Sequence, residues 1–239
     1  MPHLRVAFVL CLIAGAARAQ VATSPTVPDT LAQRLLACAS CHARFDPQGN
    51  PVNDSYFPRI SGKPAGYLYH QLQNFREGRR QYPLMTYLVD HMPDAYLHEI
   101  AGHFAAQPPA AHAAQASGAT PDVLERGRQL VVNGDSARKI PACVACHGQK
   151  LTGVEPAIPG LLGLPRDYVN AQFGAWRNGA RRAHAPDCMA TITARLTLDE
   201  VNAVSSYLAS QPVPNDPRPA AAITRPLPLA CGSAPEGQP

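Results

Sequence analysis

The sequence predicts an all-α protein made of two tandem copies of one small helical unit, and three observations carry that expectation. The stretch FPRISGKPAGYLYHQLQNFREGRR, beginning at Phe57, matches the stretch beginning at Ile158 at a constant offset of 101. Pro58 pairs with Pro159, Gly62 with Gly163, Pro64 with Pro165, Tyr67 with Tyr168, Gln71 with Gln172, Arg76 with Arg177, Gly78 with Gly179 and Arg80 with Arg181. A Cys-x-x-Cys-His pentapeptide occurs once per half, at Cys38 to His42 and Cys143 to His147. Apolar residues recur at helical spacing in both halves, and no stretch alternates convincingly as a strand. With 25 prolines and 17 glycines in 239 residues the helices must be short, and with 6% aromatics a large aromatic core is excluded. The formal net charge of +4 comes with no dense basic run carrying interleaved aromatics, so no nucleic-acid partner is expected.

The N-terminus gives the compartment. Arg5 precedes an apolar run from Val6 to Ala17, which ends in Ala17-Arg18-Ala19. That pattern predicts a secretory signal peptide over 1–19 and a mature periplasmic chain from Gln20. A retained membrane anchor is the competing reading, and Arg18 with the small-residue site cuts its apolar stretch short. Cys11 leaves with the peptide, as do Arg5 and Arg18, which brings the net charge to +2. No transmembrane segment is expected in the mature chain, because no other stretch reaches the ~18 apolar residues one needs. The N-terminal unit then spans 20–107, an Ala/Pro/Gly-rich linker 108–121, the C-terminal unit 122–211 and a proline-rich tail 212–239.

Within each unit the helices follow from punctuation and period. A first helix should run up to the cysteine motif, starting near Asp29 in one half and at Pro121-Asp122 in the other, where an acid favours the N-terminal end. A second should begin at Pro64 or Pro165 and stop at Gly78 or Gly179, with Tyr67, Leu68, Leu72 and Phe75 or Tyr168, Val169, Phe173 and Trp176 at helical spacing. The last helix of the second half opens on Thr197-Leu198-Asp199-Glu200, a capping box, and presents Val201, Val204 and Leu208 on one face. Its counterpart carries Leu97, Ile100 and Phe104 after Pro93.

A unit of about 90 residues with this little apolar mass is marginal unless something large and apolar completes its core. The cysteine motifs supply it. In Cys-x-x-Cys-His the two thiols, one helical turn apart, can add to the two vinyl groups of a haem while the adjacent imidazole reaches the iron. Cys38 and Cys41 with His42, and Cys143 and Cys146 with His147, thus predict two covalently bound haem c groups. Zinc would need a second ligand pair in each unit, and neither half has one. A thioredoxin-like dithiol would want a βαβ setting, and a plain disulfide leaves both histidines unexplained.

The sixth iron position separates carrier from catalyst. Met85 and Met189 fall at equivalent places, past the glycine stop and before the last helix, where a loop could fold over the opposite haem face. A thioether favours ferrous iron and closes the site to small oxidants. In the first half His91 and Met92 compete, although Met92 aligns with Leu196, a packing position. Pro58 and Pro159 could each present a carbonyl to the second nitrogen of His42 or His147, fixing its tautomer, or could merely stiffen the loop. Arg79, Arg80, Arg181 and Arg182 could pair with haem propionates or be solvated surface residues. His70, His98, His103, His112 and His184 have no mate in the other half and read as surface or packing residues.

Two class I cytochrome c units in tandem, each with Cys-x-x-Cys-His, a downstream Pro and Gly, a Tyr-x-x-x-Gln helix and a following methionine, resemble the dihaem cytochromes of the cytochrome c4 type over roughly residues 29–212. The resemblance implies His42/Met85 and His147/Met189 as axial pairs. It also implies one-electron transfer between a redox donor and acceptor: a quinol-oxidising complex or dehydrogenase on one side, and a membrane-bound terminal oxidase on the other. Similar units serve as cytochrome subunits of flavocytochrome sulfide dehydrogenases, and a dihaem peroxidase is a third reading that would need one open iron. Catalytic residues are expected in none of the carrier readings. Two features depart from the pattern. His42 is followed by Ala43 where the second half has Gly148, and the tail carries Cys231 while Cys188 directly precedes Met189. In an oxidising compartment these two thiols could pair and pin the tail beside the second ligand segment, or remain free.

Overall fold

A computed structural model describes residues 29–49, 52, 54, 56–109, 114–222 and 226–234. The signal peptide predicted over 1–19 and His112 lie outside the described residues. The chain divides into two compact units, 1–34 and 35–239. In the first, helix α1 covers Leu31–Arg34, and the Thr30 hydroxyl accepts the Gln33 N–H at 3.2 Å.

In the second unit, α2 (Leu36–His42) carries the first cysteine motif and is followed by α3 (Ala65–Arg76), α4 (Pro83–Val89) and α5 (Asp94–Ala105). The second repeat supplies α6 (Pro121–Val132), a 3-10 turn at Ser136–Arg138, α7 (Cys143–His147), α8 (Arg166–Arg177), α9 (Cys188–Arg195) and α10 (Leu198–Ser210). Two-residue strands, β1 (Gly153–Val154) and β2 (Ile158–Pro159), pair antiparallel, and Ala220 of the tail bridges to Val154 in parallel. None of the described helices is long and apolar enough to cross a membrane.

The helix boundaries follow local chemistry. Pro64 and Pro165 sit at the N-caps of α3 and α8 in extended backbone, where a missing N–H costs nothing. Gly78 and Gly179 end the same helices with φ of 71° and 78°, a left-handed conformation that glycine adopts without a Cβ penalty. The Thr197/Glu200 capping box is formed in both directions. The core of the second repeat gathers Leu130, Val131, Val169, Phe173, Val204 and Leu208 from α6, α8 and α10. Gly127 lets α6 and α10 cross closely, since a Cβ there would meet the Ala203 carbonyl oxygen at 2.2 Å. In the first repeat Leu97, Ile100 and Phe104 of α5 are buried along with Leu68 and Phe75 of α3.

Two expectations need correction. The first helix of the second repeat does not run up to its cysteine motif. It stops at Val132, and ten residues closed by reciprocal Asp135–Ile140 backbone hydrogen bonds of 2.7 and 2.8 Å intervene before α7. Gly134 at φ 72° allows this reversal, which puts Ile140, 4% exposed, at the register of Leu35. The methionines, in turn, do not lie in loops: Met85 is on α4 and Met189 on α9, and the Asp187 side chain caps α9 through the Ala190 N–H at 3.0 Å.

Candidate haem sites and the interface between them

In both repeats the histidine of the cysteine motif is held by the predicted proline. His42 Nδ1 lies 2.8 Å from the Pro58 carbonyl oxygen and His147 Nδ1 lies 2.7 Å from that of Pro159. A carbonyl can only accept, so Nδ1 carries the proton and Nε2 keeps its lone pair free for a metal. Burial holds both imidazoles below the ordinary histidine pKa, against the opposing effect of the carbonyl bond, so each is neutral. The same desolvation pushes the Cys143 thiol up to about 12 and raises that of Cys38. Redox-active dithiols instead have a lowered pKa, so neither motif has the electrostatics of a thioredoxin-like pair.

In the second repeat Cys143, Cys146, His147, Pro159 and Met189 all line one mostly apolar cavity, with about 1640 Å³ of atom-free space counting its mouth. Met189 also packs against the core cluster. The cavity suits a flat apolar ring bearing carboxylates. Its walls include Leu161, Val169 and Phe173, while the cations Lys63, Arg181 and Arg182 and Trp176, whose indole carries the donor Nε1, are also among its lining residues. That Nε1 is buried without a hydrogen-bond partner, an orphaned donor that a ligand carboxylate would satisfy. In the first repeat Cys38, Cys41 and His42 are half-buried on α2, and Met85 is half-buried on α4, which the Thr86 hydroxyl ties to the Phe75 carbonyl at 3.3 Å. The competing His91 is almost fully exposed, at 96%, and the Met92 carbonyl accepts from Arg76 at 2.8 Å.

The tail reaches the second cavity. Cys188 and Cys231 are disulfide-bonded, and Leu227, Leu229, Ser233 and Ala234 join the lining. The Gly232 N–H donates to the Pro186 carbonyl at 2.9 Å. Among the histidines set aside in the sequence, His98 stacks on Tyr69 at 3.6 Å and His103 sits edge-on to Phe104. His184 is half-buried, packs edge-on to His70 at 5.3 Å between ring centroids, and also lines the second cavity.

The repeats meet through matched residues. Backbone bonds of 2.7 Å run from Gln81 N to Ala180 O and from Arg182 N to Arg79 O, flanking an antiparallel bridge between Arg80 and Arg181. Arg80 donates to Gln71 Oε1 at 2.9 Å, Gln172 Oε1 at 2.8 Å and the Tyr168 hydroxyl at 3.2 Å. Arg181 donates to Gln172 Oε1 at 2.7 Å, Gln71 Oε1 at 3.2 Å and the Tyr67 hydroxyl at 3.5 Å. Each guanidinium also lies over an aromatic ring of its own repeat, Arg80 over Phe75 at 4.7 Å and Arg181 over Trp176 at 3.9 Å. Of the four arginines singled out in the sequence, these two are drawn inward, whereas Arg79 pairs with Glu77 and Arg182 is exposed. Burial would raise the Tyr67 pKa, yet the charges of Arg181, Arg80 and Lys63 pull it below the ordinary value, which marks a cationic pocket.

No protein-family model matches the chain. It is 36% identical over 175 residues to the thiosulfate dehydrogenase electron acceptor of Stutzerimonas stutzeri, covering 73% of this chain and 79% of that one. With cytochrome c4 of Azotobacter vinelandii it shares 32% identity over 186 residues, covering 73% and 84%. Its fold superposes on thiosulfate dehydrogenase from Marichromatium purpuratum with a TM-score of 0.63 and 31% identity, over 73% of this chain and only 36% of that longer one. It superposes on reduced cytochrome c4 from Pseudomonas stutzeri with a TM-score of 0.60 and 27% identity, over 74% and 94%. Two covalently bound haems c and one-electron transfer without catalysis of a substrate go with this kinship. The chain belongs to the cytochrome c4 family of dihaem class I cytochromes c.

Proposed function

We propose that this protein is a periplasmic relay taking single electrons from a dehydrogenase of an inorganic sulfur compound and passing them to a membrane-bound oxidase. Its two haem units would be residues 20–107 and 122–211, joined by the linker 108–121. The carrying observation is the second cavity, where Cys143 and Cys146, His147 with its Nδ1 proton tied back, and Met189 line the same space. The relatives named as electron acceptors of thiosulfate dehydrogenase favour a dehydrogenase as donor over a quinol-oxidising complex.

The bound haem supplies an iron that cycles between Fe(III) and Fe(II). This chain's residues do the rest. Cys38 and Cys41, and Cys143 and Cys146, would anchor the ring covalently, while His42 and His147 would offer Nε2 to its iron. Met85 and Met189 would offer sulfur to the iron, and a thioether held there would keep small oxidants from it, as a carrier rather than a peroxidase requires. Pro58 and Pro159 fix the imidazole tautomers through their carbonyls. Arg80 and Arg181 are held between the repeats by Gln71 and Gln172, and Arg181, which lines the second cavity, would be placed to meet a ring carboxylate there.

The test is single replacement of each methionine in the mature holoprotein. In Met189→Ala and in Met85→Ala, half of the sulfur-to-ferric-iron absorption band should vanish and one of the two haems should bind carbon monoxide when reduced. A band unchanged in either variant means that residue is not a ligand. Carbon monoxide binding by the unaltered protein at both centres overturns the relay.

A further inference from the structure

Lys63 belongs to the first repeat, yet it lines the cavity of the second. The chain around it is pressed across the interface. The Gly62 N–H donates to Phe104 O at 2.9 Å with φ at 70°, and the Gly66 N–H donates to Pro156 O of the second repeat at 3.0 Å. A Cβ at Gly66 would lie 2.8 Å from that oxygen, so the loop leading into α3 comes this close to the second repeat only with glycine at this position. Among the described residues no carboxylate is within ion-pair distance of Lys63 or Arg181. Asp187, an acid that also lines the cavity, accepts from the Ala183 and Ala190 N–H groups at 2.7 and 3.0 Å. Three cations, Lys63, Arg181 and the more exposed Arg182, together with Trp176, whose Nε1 is unpartnered, thus stand among the walls of a mostly apolar space.

The duplication does not repeat this arrangement. The register mate of Lys63 is Leu164, which forms part of the apolar wall of the same cavity. The second site therefore receives a cation from its neighbour, and Leu164 can return none to the first.

We infer that Lys63 is a positioning residue acting across the repeats, binding a ring carboxylate of the second haem and raising that haem's reduction potential above the first. This rests on the relay reading. A fixed positive charge stabilises the centre that has gained an electron, and the effect is large where water is excluded. One electron then moves from the first centre to the second with no bond made or broken and no proton transferred. The relay gains a direction, with the first haem as the point of arrival and the second as the sink.

The test uses the full mature holoprotein with Lys63→Met, which keeps the length of the side chain and removes its charge. Haem content is measured first, by pyridine haemochrome and intact mass, and both midpoint potentials are then resolved by spectroelectrochemistry. Met85→His, altering only the first centre, assigns the two waves. The second centre's potential should fall while the first stays put, shifting the distribution of one electron between them about tenfold toward the first haem. Lys63→Arg should restore it. Two haems with unchanged potentials, or with both waves displaced equally, overturn the inference and leave the relay standing. A wild-type protein without haem overturns the relay itself. Should Lys63→Met fail to load both haems, Lys63→Gln, neutral but still a hydrogen-bond donor, carries the same measurement.

Discussion

The two repeats share one ligand cassette and differ in how it is enclosed. In the second, α9 is covered by the tail, joined at Cys188–Cys231, and Leu227, Leu229 and Ala234 complete the cavity. In the first, α4 stands in the open: Leu84 is 47% and Tyr87 82% exposed, and Phe45 and Tyr56 are also exposed. Duplication copied the chemistry of cysteine, histidine, proline and methionine, because each set is carried entirely by its own repeat's helices and loops. Enclosure depends on chain from elsewhere, the tail and the neighbouring repeat, and there the copies have diverged.

The largest expected effect breaks that difference directly. Replacing Cys188 and Cys231 by serine opens a loop spanning 43 residues, worth about 4 kcal/mol in the chain-entropy account. Denaturant unfolding of the holoprotein should show the second repeat's transition moving to lower denaturant while the first repeat's holds. Equal losses in both repeats mean that the tail supports the whole unit rather than one site.

A somewhat smaller effect sharpens the contrast through pH. Glu200 is nearly buried at the start of α10 and bonds to Arg138, to the Thr197 N–H and to Arg126. The Arg138 hydrogen bonds, opposed by burial and aided by the others, lower its pKa from 4.5 to about 2. A carboxylate depressed in the folded state stabilises fully above its unfolded pKa and loses that contribution as pH falls toward its folded pKa. Wild type should therefore exceed Glu200→Gln by about 2–3 kcal/mol near neutrality, and the gap should close between pH 4.5 and about 2. Tyr96 holds the same register in the first repeat, so that position contributes no such acid limb there. Urea titrations at stepped pH, followed at each haem, read both repeats.

What the sequence disclosed and withheld follows from the range of each interaction. The helices α3, α5, α8 and α10, the capping box, the histidine-to-proline bonds and the two cysteine motifs are legible because each depends on residues close in the chain. The placement of Met85 and Met189 on helices was missed, since Pro83 and Asp187 are helix-starting residues that resemble loop punctuation as readily. The break after Val132 was missed because an acidic N-terminus predicts where a helix begins and says nothing of an insertion before the cysteines. Lys63 and His184 carried a signal only in retrospect: Lys63 stands opposite Leu164 and His184 opposite no histidine, and positions where the repeats differ in chemistry are where a duplicated fold can have diverged. Arg80 and Arg181 were visible as a matched pair, but their crossing to the other repeat's glutamine and tyrosine depends on domain packing that no local pattern encodes.

The smallest effect concerns a pair that looks strong in geometry. Arg76 Nη2 lies 2.6 Å from Asp94 Oδ1 at the start of α5, and the Asp94 side chain is 60% exposed. Water already solvates most of that carboxylate, so the pair itself is worth only about 0.5 kcal/mol, with a comparable helix-terminus contribution in the first turn. Arg76 moreover keeps its bond to the Met92 carbonyl when the carboxylate is lost, as Arg177 bonds Leu196 O at 2.8 Å in the second repeat with Leu198 at the register of Asp94. Asp94→Asn should thus cost at most about 1 kcal/mol, and raising the salt should shrink the cost because exposed charges are screened. The reverse substitution, Leu198→Asp beside Arg177, should gain a similar amount in the second repeat. A loss above about 2 kcal/mol for Asp94→Asn, insensitive to salt, would mean that the arginine–carbonyl bond depends on the carboxylate, and that the two repeats hold their last helices by different means.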